Sequence, residues 1–262
     1  MRRDVFAIAL VVLAIWLPRL FGLDRYVVSD EPLWLYRSAN FYYALTHRDP
    51  ASTYQKEHPG VTIMWAGTAG FLASYPGYRG TGLGQVQLRQ FDYYIDRFAE
   101  KSNLDVLVAG RFFVVLGNVL ALALSFLYAR RLMGLLPALI GFGLIAFDPF
   151  HLALTRILHL DGLLGNLMLL SLIAFLAYSH DRRRVDLMIS GAVAGFAWLT
   201  KSPGFLLVPA VGLWALVDVW RRLRSPNLGL KAYQTIWSCI WPILMWGLVG
   251  VIIFIAFWPA MW

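Results

Sequence analysis

Cysteine is almost missing from this chain: Cys239 is the one thiol in 262 residues, and it lies inside a hydrophobic run. A disulfide framework and most thiolate metal sites are thereby excluded. Charge is also scarce, at 15% of residues against 59% hydrophobic. No pattern of short alternating strands is visible, which argues against a membrane β-barrel. No soluble domain, internal repeat or low-complexity linker stands out. The first apolar segment, Asp4 to Leu23, has no small-x-small cleavage site, and Pro18-Arg19 interrupts its end. It reads as an uncleaved helix and not as a signal peptide.

What is present in their place is long apolar sequence. Runs of 18 or more apolar residues recur, the length that crosses a hydrocarbon core of about 30 Å at about 1.5 Å per residue. The fold class is therefore an all-α polytopic membrane protein. The net charge of +8 does not imply nucleic acid, because loops rich in Lys and Arg on the cytoplasmic side produce the same total.

Eight segments are candidate spans: 4–23, 61–76, 106–129, 134–148, 157–179, 186–200, 202–220 and 235–257. Basic clusters sit at Arg2-Arg3, Arg130-Arg131, Arg182-Arg183-Arg184 and Arg221-Arg222-Leu223-Arg224 with Lys231. If all eight segments cross, the last three clusters fall opposite the first, against the positive-inside rule. If 61–76 does not cross, every cluster lies inside. That segment is short, contains Gly67 and Gly70, and ends in Pro76-Gly77, which suits an interfacial or re-entrant helix. The expectation is one module over 1–262 with about seven spans and a cytoplasmic N-terminus, in a plasma or inner membrane.

The first external loop, about 24–105, then holds interfacial helices. Leu33 to His47 carries Trp34, Tyr36, Phe41, Tyr42 and Tyr43, residues that favour the headgroup region. Gln85 to Ser102 places Leu88, Phe91, Ile95 and Phe98 on one helical face, the pattern of a helix lying on a bilayer. The outer ends carry Asp30, Glu31, Glu57, His58, Arg111, Asp148, His151, Arg156, His159, Asp161 and Lys201. Bland readings exist: Arg111 snorkels, Asp148 before Pro149 stops a helix, Arg156 and Asp161 pair, and Lys201 is a loop charge. Their convergence from separate connections favours function, because cations suit a phosphate and a nearby carboxylate suits general-base chemistry.

In this order, Ser29-Asp30-Glu31-Pro32, Glu57-His58-Pro59-Gly60, Ala109-Gly110-Arg111, Asp148-Pro149-Phe150-His151, Thr155-Arg156-Ile157-Leu158-His159-Leu160-Asp161 and Leu199-Thr200-Lys201 resemble the GT-C glycosyltransferases. The nearest likeness is to protein O-mannosyltransferases and lipid A aminoarabinose transferases. The resemblance implies a GT-C-like module of about seven transmembrane helices. It also implies inverting transfer of a mannose-like sugar from a polyprenyl-phosphate donor to a protein or lipid acceptor on the extracytoplasmic face. Two departures stand out. Gly60 replaces the second proline of the usual His-Pro-Pro, and the chain stops at Trp262 where relatives continue, so a longer enzyme is expected.

Under that resemblance Asp30 is the catalytic base, with Glu31 as alternative or support. Arg111, Arg156 and Lys201 hold the donor phosphate, while His58, His159 and Asp161 orient these groups. No cofactor is required. A divalent cation is compatible with Asp30, Glu31, His58, His151 and His159 but is not demanded, since no tight ligand spacing occurs. A membrane transporter and a non-catalytic scaffold are the rival classes. Transporters tend to place charge near the midplane within repeats, and a scaffold needs no such acidic pair opposite three cations.

Overall fold

The computed structural model describes residues 2–76, 78, 102–224 and 232–262, and no strand occurs among them. Its helices are α1 (Arg2–Leu20), α2 (Glu31–Thr46), α3 (Val61–Ser74), α4 (Asn103–Met133), α5 (Leu135–Phe147), α6 (Pro149–Leu154), α7 (Leu160–Asp181), α8 (Arg184–Thr200), α9 (Leu207–Leu223) and α10 (Ala232–Phe257). Four segments are long and apolar enough to cross a membrane: Asn103–Met133, Leu160–Asp181, Ser202–Leu223 and Trp237–Phe257. Shorter apolar helices cover Ala7–Leu20, Val61–Ser74 and Leu135–Phe147.

Local chemistry sets several boundaries. Ser102 and Asp105 form a reciprocal capping box at the start of α4, the Ser102 Oγ accepting from the Asp105 amide at 3.2 Å. Asp148 caps α6 by accepting from the His151 amide at 2.6 Å, with Pro149 in the first turn. Asp148 was weighed as a helix stop; its side chain instead starts α6, at the residue where α5 ends.

The helices pack as a row in which α4 touches α1, α3, α5 and α7, α8 lies between α7 and α10, and α9 flanks α10. Small residues let α8 and α10 approach closely. A Cβ built at Gly195 would lie 2.5 Å from the Gly250 carbonyl oxygen, and one at Gly191 would lie 2.6 Å from that of Trp246. Polar links join α8 to both α7 and α10. Ser171 and Ser190 each donate to the other's backbone carbonyl at 2.9 and 2.7 Å, and the Trp246 indole donates to Ser190 Oγ at 3.0 Å.

α3 lies across one end of this row. Thr62 meets Thr200, the last residue of α8, at 2.8 Å, and the Trp65 indole donates to the carbonyl of Phe257, the last residue of α10, at 2.9 Å. Gly70 packs on the Gly110 backbone in the second turn of α4. Thr200 and Phe257 end their helices and Gly110 is near the start of α4, so all three anchors lie at one end of the row. That end also gathers the end of α1, the start of α7 and all of α6.

The opposite end collects Arg130-Arg131, Arg182-Arg183-Arg184 and Arg221-Arg222, along with the start of α1. There Arg131 pairs with Asp181 and with the buried Asp186. In α2, Trp34, Phe41 and Tyr42 are buried against α3 in the protein core, while Tyr36 and Tyr43 are half-buried. α3 takes up the three buried rings within the protein core. The expected amphipathic helix of 85–102 lies outside the described residues except for Ser102, which caps α4.

Two outcomes follow. With Cys239 replaced by serine, single cysteines at Ser52 and Arg183 should be labelled by a membrane-impermeant thiol reagent from opposite sides. Labelling from one side would break the two-ended arrangement. Gly195→Ala should lower thermal stability by about 1–3 kcal/mol through overpacking. Gly165→Ala, where a Cβ meets nothing within 4 Å, should be neutral or stabilising by up to about 1 kcal/mol. Both are read from thermal unfolding in detergent.

Candidate active site

The acidic pair divides into two different residues. Glu31, in the first turn of α2, is fully buried, while the Asp30 side chain is 54% exposed. Glu31 Oε1 accepts from Arg111 Nε at 2.7 Å and from the Leu158 amide at 2.8 Å. Its Oε2 accepts from Arg111 Nη2 and from the Val28 amide at 2.9 Å. Four donors thus satisfy one buried carboxylate, in the bidentate fork that arginine favours.

Arg111, on α4 and 1% exposed, also grips the loop before α2. Its Nη1 donates to the carbonyls of Leu23 and Arg25, and its Nη2 to that of Tyr26. With the two bonds to Glu31, all five N–H donors are engaged within the protein. Arg111 therefore presents no free donor to a ligand in this arrangement, and what it holds is the loop that carries Asp30.

Asp30 starts a row of charges. Its Oδ2 lies 3.5 Å from His159 Nε2, and His159 Nδ1 lies 3.6 Å from Asp161 Oδ2. Asp161 Oδ1 accepts from Lys201 Nζ at 2.7 Å. His159 is the N-cap of α7, its ring nitrogen accepting from the Asp161 amide at 3.4 Å. Lys201 follows the last residue of α8. Three separate connections thereby place Asp30, His159, Asp161 and Lys201 side by side, and all but His159 keep substantial exposure (54%, 43% and 31% for the others).

His58 sits beside this row, its ring edge-on to Trp34 at 6.3 Å. Burial, together with the charges of Lys56, Arg37 and Lys201, pulls its pKa below the ordinary histidine value. Gly60 explains the departure from His-Pro-Pro. Its φ is +61°, its amide donates to the Thr200 carbonyl at 3.1 Å, and a Cβ would lie 2.2 Å from the Trp34 ring. Proline can adopt neither that φ nor that hydrogen bond.

Arg156 is on the other side of the short Thr155–His159 linker. Its guanidinium donates to the Phe21 carbonyl and lines a cavity of about 430 Å³ with Arg25, Tyr26, Val28 and Ile157. Among the described residues it pairs with no carboxylate, so the bland alternative of an Arg156–Asp161 ion pair does not hold; Asp161 pairs with Lys201. Burial and the neighbouring Arg111 charge push the Arg156 guanidinium below its ordinary value, a direction that a nearby anion reverses.

His151 is absorbed elsewhere. The buried Arg19 donates to His151 Nδ1 at 3.0 Å, and His151 Nε2 then donates to Asn166 Oδ1 at 2.9 Å. The Asn166 amide continues to Asn118 at 2.7 Å. This chain of donors ties α1, α6, α7 and α4 together and leaves His151 no lone pair for a metal. Among the described residues, no group of three His, Cys, Asp or Glu side chains is placed to hold a metal ion.

Two cations were not singled out from sequence. Arg25 lies against Arg156 across Gly22, and its signal was a basic residue in a short outer connection. Arg37 stacks over Trp34 at 4.7 Å, and its signal was the i, i+3 spacing to that tryptophan.

Known proteins resemble this chain in fold and in sequence. The solved structure of the S. cerevisiae protein O-mannosyltransferase Pmt1-Pmt2 complex bound to the sugar donor superposes with a TM-score of 0.70 over 97% of this chain, at 18% identity. The chain spans 33% of the length of that relative. No curated protein matches the sequence. The family model for dolichyl-phosphate-mannose-protein mannosyltransferase matches residues 98–246, more than half of the chain. That range contains Arg111, Arg156, His159, Asp161 and Lys201, while Asp30, Glu31 and His58 precede it. By this match the chain belongs to the dolichyl-phosphate-mannose-protein mannosyltransferase family of membrane glycosyltransferases.

Proposed function

We propose that this chain catalyses inverting transfer of a mannose-like sugar from a polyprenyl-phosphate donor to an acceptor hydroxyl, on a protein Ser or Thr or on a glycolipid. The observation that carries the reading is the half-exposed Asp30 carboxylate, aligned through His159 and Asp161 with Lys201. A base and a cation from separate connections there face the same surface.

In the proposed reaction the acceptor oxygen attacks the anomeric carbon while its proton passes to Asp30. The bond from that carbon to the phosphate oxygen breaks, and its electron pair leaves with the polyprenyl phosphate. A phosphate monoester anion departs without a proton, so the donor side needs positive charge and no general acid. Arg156 and Lys201 supply that charge as it grows on the leaving oxygen. His159 and His58 orient the row, and Asp161 sets the position of the Lys201 ammonium. Glu31 and Arg111 serve as a positioning pair that holds the Asp30 loop. Placement of the site on the extracytoplasmic face is supported by the basic clusters at the opposite end of the helices.

Asp30→Asn should reduce transfer from labelled polyprenyl-phosphate mannose by roughly 100- to 10,000-fold with the unfolding temperature unchanged. Near-normal turnover would remove Asp30 as the base. Glu31→Gln should behave differently, because it leaves a buried guanidinium without its charge partner. Its expected cost is about 3–5 kcal/mol of stability, read as a fall in unfolding temperature. A stable but inactive Glu31→Gln would instead assign the chemistry to Glu31. Lys201→Ala and Arg156→Ala should each weaken donor-phosphate binding at least about tenfold, the scale of one charge-assisted hydrogen bond; unchanged donor affinity in both variants would sink their phosphate role.

A further inference from the structure

At the end opposite the candidate site, a cavity of about 740 Å³ opens between the end of α7, the start of α8 and the start of α10. Its volume is within the range of about 300–1,000 Å³ typical of small-molecule sites. Two chemistries meet in its wall. Arg182 and Arg184 provide positive charge, while Trp237, Trp241, Met188 and Met245 provide apolar surface.

The two arginines are not equivalent. Arg182 donates to Asp218 Oδ2 at 2.6 Å and stacks on Tyr178, so its position is set by the protein. Arg184 is exposed in the first turn of α8 and has no carboxylate partner among the described residues. The surrounding field adds to it, because Arg183 is adjacent and the nearby carboxylates Asp181, Asp186 and Asp218 are already paired with Arg131, Arg182 or Arg222. On the apolar side, Trp237 is 59% exposed and Trp241 53% exposed, with ring centroids 6.3 Å apart one helical turn from each other. Both are at the start of a segment long and apolar enough to cross a membrane, and the α7 span ends at the same cavity.

Half-exposed tryptophans at a span terminus mark the headgroup level of a bilayer. Unpaired arginine beside them, in a cleft between spans, is the combination that recognises an anionic lipid headgroup. We infer that this cavity is a binding site for an anionic phospholipid. The phosphodiester sits against Arg184 and Arg182, and the first acyl carbons run along Trp241 and Met245. The site is separate from the proposed transfer chemistry and involves none of its residues.

Native mass spectrometry of the purified chain tests this, comparing retention of phosphatidylglycerol with that of phosphatidylcholine of the same acyl length. The chain should retain phosphatidylglycerol preferentially. Arg184→Gln should lower that preference about fivefold, the scale of one basic residue near a lipid surface, with its helical circular dichroism unchanged. Trp241→Ala should weaken retention of phosphatidylglycerol while leaving the chain folded. Equal retention of the two lipids by the unmodified chain, or full preference in Arg184→Gln, would overturn the assignment. Inorganic phosphate at millimolar concentration should not raise the unfolding temperature, whereas phosphatidylglycerol in mixed micelles should. Stabilisation by phosphate alone would assign the site to a free anion and overturn the lipid.

Discussion

The arrangement of the candidate site depends on one buried ion pair. Arg111 and Glu31 bring together α4, the first turn of α2, the loop from Leu23 to Val28 and the amide of Leu158. Five guanidinium donors and four contacts to the carboxylate leave neither charge uncompensated, which is the condition under which a buried pair is tolerated. An isolated loop after a membrane helix has many conformations. This clamp selects one of them, and Asp30 is left facing out while its neighbour is sealed in.

The same logic recurs at lower intensity elsewhere. Arg19, His151, Asn166 and Asn118 pass hydrogen bonds in one direction through the packed ends of α1, α6, α7 and α4. Ser171, Ser190 and Trp246 link α7, α8 and α10 where glycines bring backbones close. Between helices in a membrane, hydrophobic burial gives little preference for one packing over another, so small residues and polar links specify it. The end bearing the candidate site is held by such links from nearly every helix, which gives a rigid base for residues on short connections.

Much of this was legible in the sequence. Apolar run lengths identified the membrane class, and the basic clusters indicated that the 61–76 segment does not cross. The structure lays that segment across the ends of α4, α8 and α10. The Asp-Glu, His-Pro and Arg-x4-Asp motifs pointed to one end of the bundle, where Asp30, His58, His159, Asp161 and Lys201 gather. Less legible was the use made of each charge. Arg111 looked like a ligand for phosphate and is fully engaged by protein groups. An Arg156–Asp161 ion pair was the bland alternative, yet Asp161 pairs with Lys201, and Arg156 lines a cavity with Arg25. Of the α2 aromatics, which ones pack inside the protein was not legible: Trp34, Phe41 and Tyr42 are buried against α3.

The reason lies in the range of each signal. Hydropathy, positive charge placement and helix caps act over a turn or a span, so the sequence by itself determined the helices, their order and the end at which the polar motifs accumulate. The partner of a charged side chain is a long-range matter: Glu31 and Arg111 are 80 residues apart, and Lys201 and Asp161 are 40 apart. Two adjacent carboxylates are indistinguishable in composition and spacing. Only the tertiary structure decided that Glu31 is a buried anchor and Asp30 an exposed carboxylate, because only packing determines which of them is removed from water and given a guanidinium.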